Sequence, residues 1–164
     1  MSTPISGSLE VRMAWTTVGI GKYKDKTLPQ ILFTDPDWFF SAYEERSFQG
    51  LMQEEADTIY RRATSIRVPQ QGAERLVADY HMHHPTGKFD HLEIVPVSQP
   101  KHKRTVRKDV IDLKVSHDLS YRDKHGGRLL VADTKYLLFG DAKFKMTKAK
   151  CEGFFDDKEK FIRS

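Results

Sequence analysis

Asp118, Asp133 and Lys135 are the residues whose types and spacing could do chemistry together. Residues 110–122 alternate: Ile111, Leu113, Val115, Leu119 and Tyr121 against Asp112, Lys114, Ser116, Asp118 and Ser120, the pattern of a half-buried strand. Residues 128–139 form a long apolar run that reads as a central strand. A two-residue loop at His125-Gly126 sets Asp118 opposite Asp133 and Ser116 opposite Lys135, whereas a loop at Gly126-Gly127 sets Asp118 opposite Lys135. Both registers leave Asp118, Asp133 and Lys135 on one face, because side chains alternate with period two, and leave Leu130, Ala132, Tyr136 and Leu138 on the other. Two carboxylates suit a hard, oxygen-seeking cation such as Mg²⁺. The competing reading is an exposed face on which Lys114, Asp118, Asp133 and Lys135 form cross-strand ion pairs of little energetic worth.

His81, His83, His84 and His91 are four of the seven histidines, packed into eleven residues. Residues 76–84 and 89–97 read as two strands joined by the turn Pro85-Thr86-Gly87-Lys88. That loop sets His83 opposite Asp90, with His81 on the same side and His84, His91 and Met82 on the other. Two imidazoles at i, i+2 with a carboxylate opposite could ligate a transition metal, so His81, His83 and Asp90 are the candidate ligands. Polar edge-strand histidines, touching phosphate when protonated, are the alternative.

The third group is basic. Residues 101–108 hold Lys101, Lys103, Arg104, Arg107 and Lys108 and no acid. The net charge is +4, from 27 basic and 23 acidic residues; removing those five leaves 22 basic against 23 acidic, so the excess sits in one segment. Such a run attracts phosphate backbones through counterion release, or is a solvated loop. Lys22, Lys24 and Lys26 lie on one side if that stretch is extended, spaced for successive phosphates, with Tyr23 available for stacking. The alternative is a lysine-bearing turn entering a helix whose Trp38, Phe39 and Phe40, at helical spacing, belong to the core. Lys143, Lys145, Lys148 and Lys150 add a further basic stretch near a helix start, where bound phosphate would offset their repulsion from the helix dipole.

Two stretches resemble known families. Ala132-Asp133-Thr134-Lys135-Tyr136, with Asp118, resembles the core of PD-(D/E)XK nucleases, which implies Mg²⁺ on Asp118 and Asp133 and a water-activating role for Lys135. His117 stands where that family has proline, and a helix acid such as Glu54 or Glu55 would have to reach the site. Gly21-Lys22-Tyr23-Lys24-Asp25-Lys26-Thr27-Leu28, followed by Asp35-Pro36-Asp37-Trp38, resembles the small C-terminal module of exodeoxyribonuclease X-like exonucleases. The match covers about residues 18–48, with Asp25 in place of a glycine. It implies a nucleic-acid setting and not the exonuclease reaction.

The elements that must carry these groups follow from punctuation and period. A short strand is expected first, over Leu9–Trp15. Thr27 can cap a short helix with Pro29 in its first turn; Asp35-Pro36 repeats that signal, and Gly50 ends the second helix. Residues 51–66 read as an amphipathic helix, ended by Val68-Pro69-Gln70-Gln71-Gly72. Thr147 can cap a final helix with Cys151, Phe154 and Phe155 at i, i+3, i+4 spacing. The expected fold is α+β and a single domain over 1–164: helices over about 19–67, then over 74–164 an antiparallel sheet of about four to five strands and a C-terminal helix.

The 164 residues are 38% apolar and 30% charged, with a mean hydropathy of −0.59, which excludes a disordered or membrane-embedded chain. One cysteine leaves no internal disulfide, and the first residues lack a basic-then-apolar signal, so a cytoplasmic location is expected. The expected activity is binding of nucleic acid, DNA ahead of RNA, through Lys22, Lys24, Lys101, Lys103, Arg104, Arg107 and Lys108, with no cofactor. Two other classes compete: a Mg²⁺-dependent nuclease, and a phage- or plasmid-encoded inhibitor whose basic loop occupies the nucleic-acid site of a host protein.

Overall fold

Proline-marked starts build the helical half as the punctuation suggests. Helix α1 (Leu28–Leu32) follows Thr27, whose amide donates to the Gln30 side chain at 3.0 Å, and Pro29 sits in the first turn where its missing N–H costs nothing. Helix α2 (Pro36–Glu44) is capped by Asp35, which accepts the Trp38 amide. Helix α3 (Leu51–Ala63) begins after Gly50, whose φ of +61° favours glycine. Phe39 and Phe40 are fully buried, as their spacing predicts, while Trp38 is half-buried with its ring edge-on to Tyr23.

The structure is a computed structural model that describes residues 15–19, 21–120 and 124–164. The expected strand Leu9–Trp15 lies outside these residues apart from Trp15, which is not in a strand. No helix among the described residues is long and apolar enough to cross a membrane.

The sheet part is α+β but holds less sheet than expected. Strands β1 (Ile66–Arg67), β2 (Leu76–Met82), β3 (Phe89–Pro96), β4 (Thr105–Lys108) and β5 (Val110–Ile111) form two antiparallel sheets. One is the pair β1–β5, and the other runs in the order β3-β2-β4. Tyr80, fully buried, joins them: its hydroxyl donates to the Val110 carbonyl and accepts the Asp112 amide, each at 2.7 Å. Beyond Ile111 every further described element is helical: α4 (Val115–Ser120), α5 (Lys124–Phe139) and α6 (Lys148–Asp156), then a 3₁₀ turn over Lys158–Lys160.

Of the two expected strands only Val110–Ile111 is strand, residues 115–120 and 128–139 are helical, and the expected hairpin between them does not form. In 128–139 the buried positions Leu130, Val131 and Thr134 follow helical spacing, i, i+1, i+4, which an unbroken apolar run conceals. Gly126 and Gly127, which read as a turn, lie buried in the first turns of α5. A Cβ on Gly127 would stand 3.3 Å from the Pro36 ring, so this glycine lets α5 approach α2 closely. Tyr121 and Arg122, the end of the other expected strand, lie outside the described residues.

The final helix matches expectation: Thr147 caps it by accepting the Lys150 amide, and Cys151, Phe154 and Phe155 are buried. Phe155 stacks on Phe161, which bridges to Ile66 and so ties the C-terminal segment to the small sheet.

Candidate nucleic-acid interface

Helix α5 ends at Phe139, and Gly140, at φ +81°, turns the chain back. Phe144 thereby stacks on Phe139, with ring centroids 4.9 Å apart and planes 24° from parallel. The Lys150 ammonium stands 4.6 Å from the Phe144 ring centroid, a cation–π contact. Both rings are half-buried and line an open depression of about 330 Å³, with Met146, Lys150 and Lys160 at its sides.

Lys143, Lys145, Lys148, Lys158 and Lys160 are exposed, and none forms an ion pair among the described residues. The nearby acids have other tasks. Glu152 accepts the Thr27 hydroxyl at 3.0 Å and Asp156 the Trp15 indole N–H at 2.9 Å. Asp141 and Asp157 accept the amides of Lys143 and Glu159. Lys148 and Lys150 stand in the first turn of α6, where the helix dipole disfavours a cation and favours an anion. Lysines beside an aromatic platform are the usual means of holding a nucleic-acid strand. Sequence reasoning found four of these lysines but missed Phe139 and Phe144; the available signal was two aromatics five apart across a Gly-Asp turn.

The segment 101–108 is far less available than its composition suggests. The Arg107 guanidinium grips the Asp79 carboxylate in two bonds, 2.7 and 2.9 Å, and Asp79 is only 2% exposed. That carboxylate holds the guanidinium pKa above its ordinary value. Lys108 donates to Asp112 at 2.8 Å, and Lys101 to the Thr105 carbonyl at 3.0 Å. Burial raises the Asp112 pKa although Lys108 opposes the shift. Lys103 and Arg104, exposed at the loop tip, have no side-chain partner among the described residues.

Residues 21–26 form a turn, so Lys22, Lys24 and Lys26 are not an extended ladder. The Val18 amide donates to Lys26 O and the Asp25 amide to Val18 O, closing a narrow loop. Asp25 has φ +73°, the left-handed conformation for which glycine is the default and which Asp tolerates better than most residues. Tyr23 donates to Asp35 at 2.7 Å, and its pKa is pushed up to about 12 by burial and then by that carboxylate. Lys124 stands 3.6 Å from Asp35, and its nearness, ahead of burial, holds the Lys22 amine below its ordinary pKa.

The remaining candidates separate. Asp118, on α4, pairs with Lys114 in the turn before that helix, and Lys114 also reaches Glu44 at 3.4 Å. Asp133 lies on α5 and accepts the Leu92 amide at 2.9 Å, closing a backbone donor on the free edge of β3. Lys135 is two residues along the same helix, on a different side, since positions i and i+2 diverge there. Asp118, Asp133 and Lys135 thus share no hydrogen bond or ion pair, and the face that was to hold Mg²⁺ is not formed. Glu55 is buried and accepts both the amide and the hydroxyl of Thr16, while Glu54 is exposed. His117 is buried between Asp37, at 2.6 Å, and Glu44, at 3.0 Å.

The expected set His81, His83 and Asp90 also does not assemble. The strands pair with His81 opposite His91, one position from the expected register, with an irregularity between His81 and Met82. His83 instead meets Thr86 at 3.1 Å and Asp90 meets His91 at 2.6 Å. The shift brings His91 and Glu93 onto the His81 face, because a one-residue slip exchanges faces.

No family model matches the chain, and neither a search of curated proteins nor one of solved structures finds a match.

Proposed function

We propose that the protein binds nucleic acid through the sugar–phosphate backbone, with the lysines of 143–160 and the loop tip Lys103–Arg104 as its contacts. One observation supports this most: lysines without acidic partners stand around the stacked pair Phe139–Phe144. The cations supply sequence-independent attraction, and the rings offer a π-face to an unpaired base, which favours single strands over duplex. The reading includes a cytoplasmic setting and places DNA ahead of RNA as the polymer.

The test is fluorescence polarisation with labelled single-stranded and duplex oligonucleotides at low ionic strength. The expected result is binding of single strands ahead of duplex, weakened by Phe144→Ala with folding intact. Base–aromatic stacking is worth about 1–3 kcal/mol per base. Absence of binding to every oligonucleotide at low salt would overturn the proposal.

A further inference from the structure

The face of the three-stranded sheet that bears Asp79 and Arg107 also carries His81, His91 and Glu93. We propose that His81, His91 and Glu93 form a binding site for a divalent transition-metal ion of the Zn²⁺ class. The pairing of β2 with β3 sets the two histidines directly opposite each other and Glu93 two residues along on the same face. One donor atom from each residue lies within 4.8 Å of the other two. The imidazole rings stack at 4.3 Å, and His81 Nε2 is 2.9 Å from Glu93 Oε1. Tetrahedral Zn²⁺, with bonds of about 2.0–2.1 Å to nitrogen, holds its donors roughly 3.3 Å apart, so modest side-chain rotation closes the set.

An independent observation concerns the outer nitrogens. His81 Nδ1 meets the Thr105 hydroxyl at 3.1 Å, and Thr105 is itself buried. His91 Nδ1 meets Asp90 Oδ2 at 2.6 Å. Metal-bound histidines commonly have their second nitrogen held in this way, which fixes the ring and, when the partner is a carboxylate, makes the ligating nitrogen more basic. Both bonds leave Nε2 as the metal-facing atom. Two imidazoles and a carboxylate suit Zn²⁺, Ni²⁺ or Cu²⁺ and disfavour Mg²⁺ or Ca²⁺, which take oxygen ligands. The His102 ring, 6.3 Å from that of His81, or a water could fill a fourth position.

The experiment is calorimetric titration of Zn²⁺ into chelator-stripped full-length protein, with Co²⁺ absorption as a second readout of coordination. One ion should bind per chain with an affinity in the micromolar range or tighter, and Zn²⁺ should raise Tm. His91→Ala and Glu93→Ala should each weaken binding by more than about tenfold, and Asp90→Asn by about tenfold. His83→Ala and His84→Ala should bind as wild type does. His91 and Glu93 are exposed, and circular dichroism checks that their variants fold. Absence of saturable Zn²⁺ binding, unchanged affinity in folded His91→Ala, or an equal loss in His84→Ala would each overturn the proposal.

Discussion

The segments 101–108 and 139–160 carry five and six cations and use them in opposite ways. In the first, Arg107 and Lys108 neutralise the buried acids Asp79 and Asp112, and Lys101 turns onto a carbonyl. In the second, Glu152 and Asp156 bind the N-terminal half of the chain, Asp141 and Asp157 cap their own turns, Glu159 is exposed, and the lysines form no ion pair among the described residues. A run of positive charge in a sequence is therefore a poor guide to positive charge on a surface. A carboxylate buried by the sheet recruits the nearest cation, because an unpaired charge in a low-dielectric interior is far more costly than a paired one.

The sharpest way to break this contrast is to empty the second segment. Replacing Lys143, Lys145, Lys148 and Lys150 together by Ser should reduce the salt slope of single-strand binding by about 3, at about 0.7 for each phosphate no longer neutralised, with Tm unchanged. Arg107→Met should do the reverse, lowering Tm while the salt slope stays as it is. Adding Asp79→Leu should recover much of the lost Tm, since a buried pair replaced by apolar residues is often neutral.

Tyr80→Phe measures the cost of the polar ties on that side of the molecule. It leaves the Val110 carbonyl and the Asp112 amide without their partner and should cost about 2 kcal/mol in denaturant unfolding. Lys103→Ser with Arg104→Ser should lower the salt slope by about 1, a smaller effect than at the C-terminal lysines.

The smallest expected effect concerns pH. His117, ahead of the other causes, holds the Glu44 pKa below its ordinary 4.5. The carboxylate therefore stabilises the fold fully above about pH 4.5, and that contribution is lost as pH falls through the lowered value. Glu44→Gln should remove this part of the acid limb in a series of unfolding curves. Asp112 works in the opposite sense: burial raises its pKa, so it withdraws stability as pH rises through that value.

Local punctuation made much of the fold legible. Asp35-Pro36 and Thr147 start helices where they stand, and Pro85–Lys88 joins two strands. Residues 110–139 were misleading for two physical reasons. An apolar run has no visible period, and Gly126-Gly127 signals a turn although Gly127 serves close packing against Pro36. The candidate sites inherited those errors. A helix separates Asp133 from Lys135 where a strand would have aligned them, and an irregularity at the end of β2 exchanged His83 for His91. Partners remote in sequence, such as Arg107 with Asp79, left no local signal.

The solvent-facing lysines of 143–160 are held to carry the attraction for a polyanion, more than the denser run 101–108, of which only Lys103 and Arg104 are free among the described residues. The direct measurement is the slope of log affinity against log salt for one labelled single strand, taken for wild type, the four-lysine variant and Arg107→Met side by side. A shallower slope is expected for the lysine variant and parallel lines for the other two. Equal slopes for wild type and the lysine variant, or a shallower one for Arg107→Met, would contradict that claim.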